Sequence, residues 1–382
     1  MANILQIVIN ARFLWLPIIL LLAFWKLWLY YIRASYISRI EWILLEIKLP
    51  REITKGPQAM EAALTPFHQT RDGNLLEKYW KGFLRPWFSL EIVSIGGEIH
   101  FFVYTQRFFR NLVEAQIYAQ YPDVQITEIN DYIKFFGEGF EKEWEFWGTE
   151  FKLTEADAYP IKTYVDYKLH EMATKEEQKT DPITSFLEIL GSLKTGEQVW
   201  FQILIRATKK KWKEEGKKAV EKLMKLKETK DKEGNILSGV LRLTPGERDV
   251  IEAIERDVSK LGFDVGIRAI YFAKNEIFNN VNKSSLIGTM KQYNALNLNG
   301  FKPVNFTGVD YFKKLREPGR KAKMFEAYCG RSVFYMPYVR NHFVLNTEEL
   351  ATIFHFPGRV AETPTLGRIE AKKGEAPPNL PI

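Results

Sequence analysis

Residues 13–32 read FLWLPIILLLAFWKLWLYYI, and Lys26 is the only charge among them. This run constrains the chain more than any other stretch, because a helix needs ~20 apolar residues to cross a ~30 Å hydrocarbon layer. Lys26 can snorkel toward one face of such a layer, and Trp25, Trp28, Tyr30 and Tyr31 supply an aromatic belt at the same level. A secretory signal peptide would require a small-residue cleavage site after the apolar run, and none is present there. Arg12 precedes the span, whereas Lys26, Arg33, Arg39, Lys48 and Arg51 lie within or after it. The positive-inside rule therefore predicts a single-pass protein of the inner (cytoplasmic) membrane, with residues 1–12 as a short extracytoplasmic N-terminus and the bulk in the cytoplasm.

The remainder of the chain is long enough to fold. With 382 residues, 46% hydrophobic and 26% charged, the chain can bury a core in two or three globular units behind the anchor. Its one cysteine, Cys329, excludes an intramolecular disulfide framework and any multi-cysteine zinc site. Lys plus Arg exceed Asp plus Glu by 54 to 47, which permits contact with DNA or anionic lipid without requiring either.

The periodicity predicts an α+β fold. LEIKLPRE (45–52) alternates as a strand, and PQAMEAALTPFHQ (57–69) has helical spacing. WFSLEIVSIGGEIHFFVYT (87–105) reads as a hairpin turning at Gly96-Gly97, a pair able to take positive φ. RFFRNLVEAQIYAQYP (107–122) places Phe108, Leu112, Ala115 and Ala119 at helical spacing, and VQITEI (124–129) comes next as a strand. The order β-α-β-β-α-β predicts a ferredoxin-like (split βαβ) unit. Further on, QVWFQILIRAT (198–208) reads as a strand, residues 210–227 as a charged helix, TPGERDVIEAIERDVSKLG (244–262) as a helix with Pro at N1, and FDVGIRAIYFA (263–273) as a strand. These suggest a second α+β unit, a candidate degenerate repeat of the first.

Motifs for chemistry are sparse. GSLKTGEQ (191–198) spaces Gly191 and Gly196 as a P-loop does, but Glu197 and Gln198 stand where Lys and Ser/Thr would hold phosphates, so it reads as a turn. The histidines, at 68, 100, 170, 342 and 355, show no HxxxH or HExxH spacing, and a lone Cys329 reads as a small core residue. The expectation is a chain without catalytic residues, metal or cofactor. KKKWK (Lys209, Lys210, Lys211, Trp212, Lys213) sets a ring among cations and is the candidate contact for DNA or anionic lipid, against the simpler reading of a solvated helix with interleaved glutamates. KKLREPGRKAK (313–323) reads as a solvated loop.

Near the C-terminus, Asn346 and Glu349 form a capping box, Leu350, Ile353 and Phe354 make an apolar side with Phe356 beyond it, and Pro357-Gly358 ends the helix. Leu350, Ile353, Phe354 and Phe356 are the candidate contacts for a partner, and the Pro-rich tail after them reads as an extended strap. The expected organisation is therefore a transmembrane helix at 13–32, a first domain at 33–134, connecting strands and loops at 135–197, and a second domain at 198–343. A docking helix at 344–358 and the tail at 359–382 complete it.

NTEELATIFHFPG with TPTLGRIEAKKGEAPPNLP resembles the segment that precedes the P-loop ATPase core in membrane-associated HerA/TraG-like proteins of type IV secretion and conjugation-type systems, especially those of small-genome candidate-phylum bacteria. LEIKLPREITKGPQAMEAAL, SLEIVSIGGEIHFFVYTQRFFRNLVEAQIYAQYPDVQITEI and LTPGERDVIEAIERDVSKLGFDVGIRAIYFA are similar to the region N-terminal to those cores. The resemblance implies a non-catalytic, membrane-anchored region that tethers a P-loop ATPase, supplied in trans or fused downstream, which moves DNA or protein. It also implies homo-oligomerisation, with a ring as the candidate arrangement. A motor-independent scaffold of an envelope or coat assembly is the alternative. Protease added outside sealed spheroplasts is expected to leave the body of the chain intact; digestion there would contradict the orientation.

Overall fold

A computed structural model describes residues 12–50, 53–137, 139–170, 180–225, 229–230, 236–237, 243–358 and 368–369. The chain forms two compact units, one comprising residues up to Glu41 with Thr70–Pro86, the other Trp42–Gln69 with the remainder from Trp87. The expected N-terminal segment before Arg12 lies outside the described residues, as does the tail apart from Arg368–Ile369.

The first unit is built on helix α1, Arg12–Arg39, which contains the whole predicted span and carries Pro17 within it. Only 6% of its most apolar window is buried.

In the second unit, β1 (Trp42–Pro50), α2 (Pro57–Leu64), β2 (Phe88–Ile95), β3 (Glu98–Gln106), α4 (Arg110–Gln120) and β4 (Gln125–Ile129) keep the predicted order; the short helix α3 (Leu75–Tyr79) belongs to the first unit. Gly96 and Gly97, at φ 61° and 94°, turn the β2–β3 hairpin as expected. The strands lie in the order β4-β1-β3-β2, all antiparallel. One stripe is shifted from expectation. The buried face of α4 carries Val113 and Ile117 beside Phe109, whereas Phe108 is exposed.

The same order recurs in the next six elements. They are β5 (Trp144–Leu153), α5 (Pro182–Gly191), β6 (Glu197–Ala207), β7 (Gly262–Lys274), α8 (Asn280–Met290) and β8 (Phe301–Val304), with α6 (Trp212–Lys225) and α7 (Pro245–Ser259) inserted between β6 and β7. Their strands run β8-β5-β7-β6, again antiparallel. The second half thus starts at Trp144, inside the stretch expected to be a connector. Nor is there a sheet boundary between the halves: β2 pairs with β6 from Phe88↔Ile205 to Ile95↔Gln198, making one ten-stranded sheet. Because β2 and β6 are equivalent strands paired antiparallel, their junction is a local two-fold.

Side-chain alternation sends Leu45, Ile47 and Leu49 to one face and Leu44 to the other. On the first face lie α2, α4, α5 and α8. The second is covered by Met324 and Tyr328 of α9 (Lys313–Cys329) and by Tyr132, Phe136 and Phe140. KKLREPGRKAK is therefore the start of a helix rather than a loop.

Strand β9 (Phe343–Asn346) pairs with β7 and delivers α10 (Thr347–Ile353) into the helix layer against α2 and α5, and a two-residue strand, β10 (Arg368–Ile369), pairs parallel with β1. Every residue of α10 is buried. Leu350, Ile353, Phe354 and Phe356 are at most 2% exposed, so the expected docking face is core. The reason is the gap between the helix pairs of the two halves, which a short helix carrying Leu350, Ala351 and Ile353 fills. Phe354 and Phe356 pack on Phe101 at 6.0 and 5.5 Å, while His355 meets Asp181 at 3.0 Å and Glu349 accepts from the Ile161 amide at 2.9 Å. One turn of chain thereby touches both halves. Burial raises the carboxyl pKa of Glu349, and burial together with the Glu349 charge raises that of Asp257 beside it.

Leu350→Ala is expected to cost about 2–5 kcal/mol in urea denaturation, the range for an aliphatic side chain removed from a packed core. A loss under about 0.5 kcal/mol, the scale of surface substitutions, would contradict this placement.

Candidate functional site: an apolar helix with an aromatic collar, and a basic cleft

In the first unit, Asn74 caps α3 through a capping box with Glu77, and the turn after it is held close to α1 by Gly82. Gly82 has φ 71°, and a Cβ there would lie 2.2 Å from the Ile32 carbonyl oxygen, so only glycine fits. Trp28 Nε1 donates to the Tyr79 carbonyl at 2.9 Å. Trp25 meets Tyr79, and Trp28 meets Trp80, each at 5.7 Å between ring centroids. Beside this cluster Leu75, Leu76 and Trp80 are 74%, 68% and 65% exposed. An aromatic collar with exposed apolar neighbours, next to an exposed apolar helix, has the composition of a membrane–water interface.

The predicted basic cluster divides in the structure. Lys209, Lys210, Lys211 and Lys213 are exposed, but Trp212 is 2% exposed and packs over Gly262, where a Cβ would lie 2.5 Å from its Nε1. Trp212 is thus a core residue and offers no face for base stacking. Lys210 Nζ donates to Asp157 at 2.9 Å and to the His342 carbonyl at 2.8 Å, and Lys211 pairs with Glu214 at 3.8 Å.

Lys210 also borders a cleft of about 940 Å³. Glu150 and Lys152 of β5 and Gly266 and Arg268 of β7 line it together with Asn305, Arg340 and His342. Register brings Glu150 opposite Arg268. Arg268, 1% exposed, donates from Nη2 to the Ser332 carbonyl at 2.7 Å and lies 3.6 Å from Glu150 Oε1. Its Nε and Nη1 have no hydrogen-bond partner. Burial lowers the Arg268 pKa, opposed by the Glu150 charge, and burial likewise lowers that of the His342 imidazole. Glu150 Oε2 is occupied, accepting from Asn305 Nδ2 at 2.8 Å and Tyr338 at 3.1 Å.

Arg331 makes the contrast. Equally buried, it donates from Nε to Glu91 at 3.0 Å and from Nη1 and Nη2 to Asp131 at 2.6 and 2.9 Å, with Tyr104 stacked at 3.9 Å. Every nitrogen there is used. Arg331 holds the sheet to the segment after β4; Arg268 retains unused donors beside a cavity.

The cleft can hold an anion, and its described lining contains no hydroxyl or thiol. Burial pushes the Cys329 thiol up to about 12, which removes its nucleophilic form near neutral pH. Among the described residues no cluster of His, Cys, Asp and Glu could hold a metal ion. Lys152, Arg268, Arg340, Leu75, Leu76 and Trp80 were not marked by any sequence motif. One signal was available: Arg268, with Asp264, is a charge inside a strand that is mostly apolar and buried on both faces.

No curated protein matches the chain. Residues 38–368 match the family described as a domain of unknown function, DUF8128, and since they make up most of the sequence the chain belongs to that family.

Proposed function

We propose that the chain is a membrane-anchored, non-catalytic subunit or domain of a type IV secretion or conjugation-like machine, and that it tethers and positions a HerA/TraG-like ATPase moving DNA or protein. The observation that carries the reading is α1: 28 residues, long enough to span, with its apolar surface exposed. The collar around Trp25, Trp28, Tyr79 and Trp80 supports it, since rings with polar edges beside exposed leucines fix the depth of a helix at an interface. In this reading the bulk lies on the cytoplasmic side of the inner membrane. The two halves of the second unit act as fused split βαβ modules, a rigid platform whose outer surface meets the motor.

The mechanism is tethering. Holding a motor to a two-dimensional surface raises its local concentration at a pore without any new contact. Because α10 is core, attachment falls to other surfaces, the segment after Gly358 among them.

The test is affinity purification of the full chain from detergent extracts beside a variant ending at Gly358, which keeps α10. The expected result is co-purification of a P-loop ATPase, identified by mass spectrometry, with no ATP hydrolysis by the isolated chain. Hydrolysis by the isolated chain, or full solubility without detergent, would contradict the proposal.

A further inference from the structure

We infer that the cleft between β5, β7 and the segment 333–342 is a binding site for a phosphate-bearing ligand, with Arg268 as the donor at its floor and Lys152, Lys210 and Arg340 as cations around it. The inference is independent of the membrane reading and concerns the second unit alone.

Three observations carry it. The first is the incomplete coordination of Arg268: a guanidinium buried to 1% exposure keeps Nε and Nη1 unpartnered, although buried donors are almost always satisfied. Arg331, on the same face of the sheet and equally buried, shows that this fold can saturate an arginine where the role is structural.

The second is charge. Lys152, Lys210, Arg268 and Arg340 line the cleft against one carboxylate, Glu150, one of whose oxygens is already taken by Asn305 and Tyr338. Lys210 is partly neutralised by Asp157 outside the lining. Even so, cations remain in excess, which suits a phosphate dianion better than a monovalent carboxylate. Lys152 and Arg340, both exposed at the cleft, can add charge-assisted hydrogen bonds to phosphate oxygens.

The third is size. The cleft, at about 940 Å³, lies within the range of roughly 300–1,000 Å³ typical of small-molecule sites. The ligand is therefore recognised by its phosphoryl group, and two sources share that chemistry: a soluble nucleotide or other phosphate ester, and a phospholipid headgroup.

Calorimetric titration of the detergent-solubilised full chain with inorganic pyrophosphate, AMP, glycerol 1-phosphate and acetate tests the inference. The phosphates are expected to bind at least about tenfold more tightly than acetate, and Lys152→Ala and Arg340→Ala are each expected to weaken pyrophosphate by about tenfold with an unchanged melting temperature. Both substitutions lie near the surface, so the test does not depend on the buried Arg268 tolerating change. Preference for AMP over glycerol 1-phosphate assigns the site to a soluble phosphate ester, and the reverse assigns it to a headgroup. Phosphates binding no better than acetate, or both variants binding pyrophosphate like the unaltered chain, would overturn it.

Discussion

The ladder between β2 and β6 is the interaction on which the second unit depends. Each half, with its strands ordered fourth, first, third, second, would alone end in a row of unpaired amides and carbonyls on its second strand. Pairing Phe88–Ile95 with Gln198–Ile205 removes both edges at once and places β2 and β6 at the centre of a sheet buried on both faces. Two covering layers are then required. The helices of the two halves supply most of one, but a two-fold junction leaves space between them, and α10 occupies it.

That arrangement explains why so much polarity is buried around α10. A helix of seven residues inside a core needs its free amides satisfied by side chains, and the Asn346–Glu349 capping box does so. Glu348 pairs with Lys260 at 2.8 Å, and Asn346 Nδ2 donates to Asp257 at 2.6 Å. These bonds fix one orientation of the helix, whereas apolar packing alone would tolerate several.

Local signals were legible in the sequence and long-range ones were not. Gly96-Gly97 could take positive φ, and Pro245 at N1 announced the start of α7; both features are present in the fold. The capping box of α10 was equally plain. What covers its apolar side depends on α2 and α5, whose meeting is set by the β2–β6 pairing of residues more than a hundred positions apart, and so a core helix reads like a docking helix. That β5 belongs to the second half was hidden for the same reason: WEFWGTEFKL, within the stretch expected to hold connecting strands and loops, finds its partners in β7 and β8, far along the chain. Of the basic cluster, the lysines lie on the surface as composition suggests, but Trp212 is claimed by the glycine at 262. Arg268 stood out as an anomaly, while Lys152 and Arg340 join it only through sheet register and the return of the chain after α9.

The central claim is that both halves form one cooperative sheet through β2 and β6. Native-state hydrogen exchange of the detergent-solubilised chain, monitored by mass spectrometry of peptides covering 88–95 and 197–207, measures it most directly. The account predicts that these amides exchange as slowly as those of β7, through global unfolding. Exchange of both peptides well ahead of β7, with the remaining strands still protected, would show that the halves separate and would contradict it.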